Sequence, residues 1–325
     1  MRLKKFIISI FLFLFPINVI LAYSNEVVLG GQNIGIEVKT DGVLVVGLYK
    51  VNDELIALDS GIKSGDYITK VNGNNTRNIS DFTKEILDDD DKKSVEVEYR
   101  RNNNYYNTNL KIVDEDNEYK TGLFIKDTVN GIGTLTLIDP STNKFLALGH
   151  QIIDSTTNTI LSINSGSIYN SYITGIKKSY DGSPGEKEAV SNSDERYGYI
   201  TKNTDSGIFG IYEKEYDKEN TITVAKVDEI KLGEASILTV IDKEEVKEYK
   251  INIEKIDTSD RLKNILFTIT DEELLSKTGG VVQGMSGSPI LQNGKLIGAV
   301  THVIVDNCTR GYGISIVNML SEADK

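Results

Sequence analysis

The stretch from Gly284 to His302 constrains the fold of this chain more than any other. It begins with Gly284-Met285-Ser286-Gly287-Ser288-Pro289 and continues as two apolar runs separated by Asn293-Gly294. Glycines on both sides of a serine allow a tight turn in which the hydroxyl projects and neighbouring N–H groups converge. Asn-Gly between two apolar runs is a strong signal for a hairpin turn. The sequence therefore predicts a serine on a tight turn that leads into an antiparallel hairpin.

Short runs with β-strand character recur along the rest of the chain. Examples are residues 131–138, 145–148, 236–241 and 295–300. Strands separated by turns favour a barrel or a sandwich over parallel βαβ units. A length of 325 residues suggests two domains. The polar residues 190–204 are expected to form a long surface loop.

The composition excludes several classes of function. The formal net charge is −12, and the chain has two histidines and one cysteine, Cys308. An acidic surface repels phosphate, so no nucleic-acid partner is expected. Two histidines and one cysteine do not make the common zinc sets, so we expect no metal site and no cofactor. A single cysteine allows no internal disulfide.

The N-terminus has the features of an export signal. Arg2, Lys4 and Lys5 precede residues 6–22, an apolar run without a charge. This is the order of a secretory signal peptide, and Ala22-Tyr23-Ser24 supplies a cleavage site. The run is also at the short end of a membrane span. We expect residues 1–22 to be a signal peptide or a membrane anchor, and the rest of the protein to be exported.

Residues 26–112 combine short strands, glycine-containing turns and one helix. Residues 34–38 and 42–47 are β-rich and are divided by the turn signal Thr40-Asp41-Gly42. A helix is predicted from Ser80, which is a good N-cap. The glycine-punctuated stretch Gly61–Gly73 before this helix resembles the corresponding part of bacterial PDZ domains.

The PDZ resemblance implies a peptide-binding function for residues 26–112. The neighbouring strand edge would accept an extended peptide or a C-terminal tail by β-augmentation. A small β domain without a ligand is the alternative. The residues that the resemblance places in the carboxylate-binding loop are Asn33, Ile34, Gly35 and Ile36.

A polar segment, Asp114–Glu118, reads as a linker, which leaves residues 113–325 for a second domain. There, the Gly-x-Ser-Gly-x-Pro segment and its hairpin resemble chymotrypsin-fold serine proteases, in which the histidine precedes the serine. We therefore predict Ser286 as the nucleophile and His150 as its general base, ahead of Ser288 and His302.

The same resemblance implies the remaining site residues. The N–H groups of Gly284 and Ser286 would bind the oxyanion, and Thr301 and His302 would form a wall of the substrate pocket. The orienting carboxylate stays open between Asp271, which precedes the serine by a short interval, and Asp154, which follows His150.

The whole chain resembles the stage IV sporulation protein B family, PDZ-bearing peptidases of endospore-forming bacteria. The resemblance includes the apolar N-terminus, both glycine-rich parts of the PDZ-like region, residues 147–154, residues 278–289 and residues 301–314. It implies an exported serine endopeptidase in the space between the forespore and mother-cell membranes. Such an enzyme cleaves itself near its N-terminus and cuts a membrane-associated partner, which triggers processing of a late sigma factor. The alternative is a catalytically inactive PDZ adaptor or scaffold in the same space.

Overall fold

The computed structural model describes residues 25–88 and 93–323. The predicted signal peptide or anchor at residues 1–22 therefore lies outside the described residues. Within these ranges, no helix is both long enough and apolar enough to cross a membrane. The chain is mainly β, as the sequence predicts.

The elements follow in chain order. The first strands are β1 (Glu26–Leu29), β2 (Asn33–Leu48), β3 (Tyr67–Val71), β4 (Asn74–Asn75), β5 (Ser94–Arg101), β6 (Asn104–Lys111), β7 (Val113–Glu115) and β8 (Glu118–Lys120). The next are β9 (Leu123–Ile138), β10 (Lys144–Ala147), β11 (Ile153–Asp154), β12 (Thr159–Ile160), β13 (Ile163–Lys177), β14 (Gly185–Thr204), β15 (Gly207–Tyr212) and β16 (Thr221–Thr223). The last are β17 (Gly233–Val240), β18 (Val246–Ile256), β19 (Ile265–Ile269), β20 (Val282–Gln283), β21 (Pro289–Gln292), β22 (Lys295–Val303) and β23 (Arg310–Ser315). The helices are α1 (Ile79–Leu87), α2 (Glu272–Thr278) and α3 (Ile316–Ala323).

Most strands outside the PDZ-like unit close into two barrels. The second barrel has the strand order β17-β18-β19-β23-β22-β21. The first is the ring β9-β10-β15-β14-β13-β2, which closes because β2 also pairs with β9. Each barrel has its own apolar core. This is the chymotrypsin-like architecture that the sequence predicts.

Strand β2 belongs to two units. Its first half places Ile34 and Val38 in the core of the first barrel, whereas Val43 and Val45 lie in a separate core with helix α1. The sequence predicted two runs divided by a turn, but the structure continues as one strand with Gly42 at φ +98°. Long-range pairing with β9 along both halves keeps the strand extended, apart from a register shift. The first barrel thus includes the first half of β2, which precedes the other strands and the helix of the PDZ-like unit in the chain.

The PDZ-like unit contains α1 packed on β3, β5 and β6. Its helix begins at Ile79 with Asn78 as the N-cap, two residues before the predicted N-cap Ser80. The Asn78 Oδ1 atom accepts a hydrogen bond from the Asp81 N–H at 2.8 Å. The amide side chain thereby satisfies an N–H group that the first helical turn leaves unpaired.

Two segments expected to be irregular are paired strands. The expected linker Asp114–Glu118 forms most of the β7–β8 hairpin, with Asp116 and Asn117 at positive φ in the turn. The expected loop at residues 190–204 is the second half of β14, which pairs with β13 and β15. Both segments are mainly polar because most of their side chains are exposed or half-buried, so composition alone does not distinguish them from loops.

Candidate active site

The serine turn connects β20 to β21. Gly284 and Gly287 both have φ of +93°, a left-handed conformation that favours glycine. A methyl group added to Gly287 would also collide with the carbonyl oxygen of Thr134. Ser286 is therefore presented on a turn whose two glycines cannot be replaced without strain.

Strand β9 fixes this turn from below. The Thr134 N–H donates to the Ser286 carbonyl at 2.9 Å, and the Thr134 hydroxyl donates to the Gly284 carbonyl at 2.8 Å. The Thr136 hydroxyl donates to the Gly287 carbonyl, also at 2.8 Å. Both threonines are completely buried. These bonds set the peptide planes of the turn before any substrate arrives.

The two serine hydroxyls of the turn have different surroundings. Ser286 is partly exposed, and its Oγ donates to the Thr301 carbonyl at 2.8 Å. Its N–H has no hydrogen-bond partner among the described residues and is free to bind an oxyanion. Ser288 is completely buried, with its Oγ 3.5 Å from the Thr134 hydroxyl. Of the two, Ser286 is the hydroxyl that a substrate can reach.

His150 lies just beyond the end of β10. Leu148 and Gly149 have φ of +69° and +71°, so the chain bends sharply before the imidazole. The His150 Nδ1 atom is 2.8 Å from the Gln151 carbonyl oxygen. A carbonyl only accepts hydrogen bonds, so Nδ1 carries the proton of the neutral ring and Nε2 has a free lone pair. Burial lowers the pKa of His150, partly offset by this bond, which favours the neutral base at neutral pH.

Ser286 and the histidine segment both contact β22, at Thr301 and His302. A methyl group on Gly149 would lie 2.9 Å from the Thr301 side chain. The carbonyl of the same Thr301 accepts the hydrogen bond from the Ser286 hydroxyl. The ring centroids of His150 and His302 are 5.1 Å apart. In the described chain Ser286 bonds to Thr301 and not to His150, so the hydroxyl must rotate to reach the imidazole.

His302 contacts the base directly, where the sequence predicted a pocket wall. Its Nδ1 is buried without a hydrogen-bond partner in the described structure. Burial lowers the pKa of His302 to about 4, and the charge that His150 carries when it is protonated and the charge of Lys263 add to this shift. His302 is therefore a neutral imidazole beside His150 across the physiological range.

The structure places neither predicted carboxylate at His150. Asp271 is the N-cap of α2: its side chain accepts from the Leu274 N–H at 3.0 Å and from the Lys250 N–H at 3.3 Å. Its carboxylate is thus held by α2 and β18 and makes no hydrogen bond to His150 in the described residues, so the orienting role of Asp271 stays a prediction. The hydrogen bond that orients His150 comes instead from the Gln151 carbonyl.

Asp154, the competing carboxylate, is also engaged elsewhere. Its side chain is 1% exposed, accepts from the Thr156 and Thr157 N–H groups, and forms an ion pair with Lys126 at 3.2 Å. These contacts tie down the loop after His150. Asp154 therefore supports the histidine segment through the backbone and not through the ring.

The family comparison decides the assignment. The family model described as SpoIVB peptidase S55 matches residues 117–320. The chain belongs to this family. It is a serine endopeptidase. A PDZ domain model matches residues 32–112 of the same S55 peptidase.

Solved structures give partial likenesses. The active form of the Rv3671c protease from M. tuberculosis is 15% identical, with 61% of this chain and 74% of that chain covered and a TM-score of 0.38. The PDZ domain of the SdrC-like protein from Listeria monocytogenes is 22% identical, with 27% and 90% covered and a TM-score of 0.23. The HtrA-type protease AlgW with a decapeptide is 12% identical, with 66% and 61% covered and a TM-score of 0.36. Among curated proteins, none matches the chain. At these TM-scores the overlap is partial, and the family match carries the assignment.

The predicted carboxylate-binding loop of the PDZ region has a different structure. Asn33–Ile36 lies in β2 and pairs with β9 on one side and β13 on the other. A side chain on Gly35 would collide with Ser191 of β14. This part of the S55 peptidase is a central barrel strand without a free edge, so the loop expected there is corrected to a strand.

Sequence reasoning missed three residues that contact the serine turn. Thr134 and Thr136 tether its carbonyls, and the buried Lys187 packs beneath Gly284. The alternating pattern of residues 131–138 predicts a strand, but no local signal shows that two of its threonines face the turn. Lys187 stands in the charged stretch Glu186-Lys187-Glu188, which gives no local signal that its side chain is buried.

Proposed function

We propose that this S55 peptidase hydrolyses peptide bonds with Ser286 as the nucleophile and His150 as the general base. The observation that supports this most directly is the meeting of both residues at Thr301. Ser286 donates to the Thr301 carbonyl at 2.8 Å, and Gly149, next to His150, packs on the Thr301 side chain. In the proposed mechanism the Ser286 hydroxyl leaves this carbonyl and donates to His150 Nε2 when a substrate binds.

The chemistry follows from the protonation states. His150 Nε2 takes the Ser286 proton as Oγ forms a bond to the substrate carbonyl carbon. The N–H groups of Ser286 and Gly284 stabilise the oxyanion, and the imidazolium then protonates the leaving amine. Water repeats the sequence on the acyl-enzyme and releases the acid. The Gln151 carbonyl keeps the proton on Nδ1 throughout.

Labelling with a serine-directed fluorophosphonate tests the nucleophile. Wild type should gain one adduct, located at Ser286 by peptide mass spectrometry. Ser286→Ala should gain none, whereas the matched hydroxyl deletion Ser288→Ala should still label. Labelling of Ser286→Ala at the wild-type rate would overturn the assignment.

Self-cleavage within residues 23–60 is part of the proposal. Within residues 23–60, strands β1 and β2 are paired and do not fit a protease cleft. The connection after β2 is more accessible, with Leu55 41% exposed and Leu58 60% exposed. We therefore expect cleavage before β1 or within residues 49–58, which intact-mass analysis of wild type and Ser286→Ala would locate.

We also infer an exported role in endospore formation. The family match and the export signal at residues 1–22 support an enzyme between the forespore and mother-cell membranes, with a membrane-associated protein as substrate. Cleavage of that substrate would trigger late sigma-factor processing. A deletion strain complemented with Ser286→Ala should form few heat-resistant spores. Full sporulation with this variant would remove the proposed role.

If the PDZ-like unit binds a peptide by β-augmentation, it needs a free strand edge, and Asn33–Ile36 has none because it pairs with strands on both sides. Strand β9 runs beside helix α1, where the Ile79 N–H donates to the Asp127 carboxylate at 2.8 Å. In the described chain, residues 123–133 of β9 pair with β2 alone, so the other edge of this segment can accept an extended peptide. Thr128→Pro removes an N–H on that open edge and should weaken binding of C-terminal peptides in fluorescence polarisation. Unchanged binding would exclude this edge.

A further inference from the structure

Lys187 is a charged residue in the protein interior, next to the serine turn. It lies on β14 opposite Ile176 of β13, and it is 1% exposed. Its ammonium donates a hydrogen bond to the Thr239 hydroxyl at 2.9 Å. An ammonium has three N–H donors, so this single neutral acceptor leaves most of its hydrogen-bonding capacity unused.

Burial of Lys187 is energetically unfavourable without a compensating carboxylate. Burial alone lowers its pKa from 10.5 to about 7, since no neighbouring charge contributes. A methionine would fill the same space without this cost. A buried and poorly compensated titratable group beside a candidate active site is itself a candidate functional residue.

The stem of Lys187 forms the floor of the serine turn. A methyl group added to Gly284 would lie 3.0 Å from Lys187 Cδ and 3.2 Å from its Cβ. Just before Lys187, strand β14 pairs in parallel with β20, which leads into the turn, with Glu186 opposite Gln283. Any displacement of this side chain is therefore transmitted to the residue two positions before Ser286.

The charged residues on the surrounding strands do not compensate Lys187. Glu186 and Glu188 flank it on β14 but are exposed. Lys177 of β13 lies opposite Glu186, and Lys247 of β18 lies opposite Thr239. The side chains from β9 and β17 that lie near Lys187 or its ammonium are those of Ile132 and Thr239, which are uncharged.

We propose that Lys187 is a positioning residue for the nucleophile: its neutral side chain packs beneath Gly284 and keeps the serine turn in its catalytic position, and its protonation displaces that turn. The physical reason is that a buried ammonium needs acceptors beyond Thr239, and a side chain that moves to find them withdraws the packing of its stem against Gly284. The proposal rests on Ser286 being the nucleophile.

The test is the rate of fluorophosphonate labelling of the purified protein between about pH 6 and pH 8. For a group with a pKa of about 7, the neutral fraction rises about tenfold over this range. Wild type should therefore gain at least about tenfold in labelling rate. In Lys187→Met the gain in labelling rate should shrink to less than about fourfold. This remaining gain is the increase in neutral His150 between about pH 6 and pH 8, since the pKa of His150 lies below 6.5. Lys177→Met, an exposed lysine on the neighbouring strand, should behave as wild type.

Thermal unfolding supplies a second readout. The folded state lowers the pKa of Lys187, so the unfolded chain binds more protons between pH about 7 and 10.5. The penalty is complete below pH 7 and disappears as the pH rises to 10.5. Lys187→Met should thus exceed wild type in Tm most at or below pH 7, with the difference closing towards pH 10.5.

The outcomes separate the two proposals. Labelling that does not depend on Ser286 removes the assignment of the nucleophile. Labelling at Ser286 with the same pH profile in Lys187→Met as in wild type overturns the role of Lys187 alone. If the variant does not fold, a wild-type rate without a transition near pH 7 overturns that role by itself.

Discussion

The Ser286 turn and the His150 side chain differ in how many hydrogen bonds hold them in place. Around Ser286, three hydrogen bonds from buried threonines of β9 hold the carbonyls of Gly284, Ser286 and Gly287. His150 has one hydrogen bond, to the carbonyl of its own neighbour Gln151. The Ser286 turn is therefore preorganised, whereas the His150 imidazole is held mainly by burial and by contact with His302.

This difference indicates which step remains for the enzyme to complete. A preorganised turn needs no rearrangement to present the oxyanion-binding N–H groups. The Ser286 hydroxyl, however, bonds to Thr301 and has to be transferred to His150. Under the mechanism that we propose, assembly of the Ser286–His150 pair is thus the step that substrate binding brings about.

The largest effect should come from the base. His150→Ala leaves the turn intact but removes the proton acceptor, so kcat/KM for peptide cleavage should fall on the order of 10³-fold or more. Circular dichroism of the variant should match that of wild type, which shows that the fold is unaffected. A variant with more than a tenth of wild-type activity would mean that another group acts as the base.

A smaller effect should come from the support of the turn. Thr134→Val removes the hydroxyl that bonds to the Gly284 carbonyl and leaves a buried acceptor unpaired, at a cost of about 1–3 kcal/mol in unfolding free energy. Displacement of the turn should lower kcat on the order of 10²-fold. Thr128→Val, on the same strand but away from the turn, is the control. Equal kcat values for the two variants would show that β9 does not position the serine.

Local sequence signals predicted the hairpin and the serine turn but not their surroundings. Asn293 and Gly294 both adopt positive φ, as their turn requires, and Ser286 lies between two left-handed glycines. The continuation of β2 as one strand through Thr40-Asp41-Gly42 could not be predicted from local sequence. It depends on pairing with β9, which is about 80 residues away along the chain. The positions of Asp271 and Lys187 depend likewise on contacts between distant strands.

The two histidines should differ in their contribution. His302→Phe keeps an aromatic ring against His150 and removes only a nitrogen that lacks a hydrogen-bond partner in the described structure. We expect kcat to change by less than about tenfold, with a shift in substrate preference measured on a peptide library. A loss as large as that of His150→Ala would make His302 part of the proton-transfer machinery.

The smallest effect concerns Asp271, and it tests whether the histidine side lacks a carboxylate. As the N-cap of α2, its side chain bonds to the Leu274 N–H, so Asp271→Ala should lose about 1 kcal/mol of stability. For a domain of this size this loss lowers Tm by about 2–4 °C. Asp271→Asn keeps an oxygen acceptor for the cap and should restore Tm. Its activity then isolates the charge: an Asn variant as stable as wild type but inactive would show that the carboxylate acts on His150 during turnover, which requires α2 to move towards the imidazole. Wild-type activity in the same variant would leave the Gln151 carbonyl as the group that orients the base.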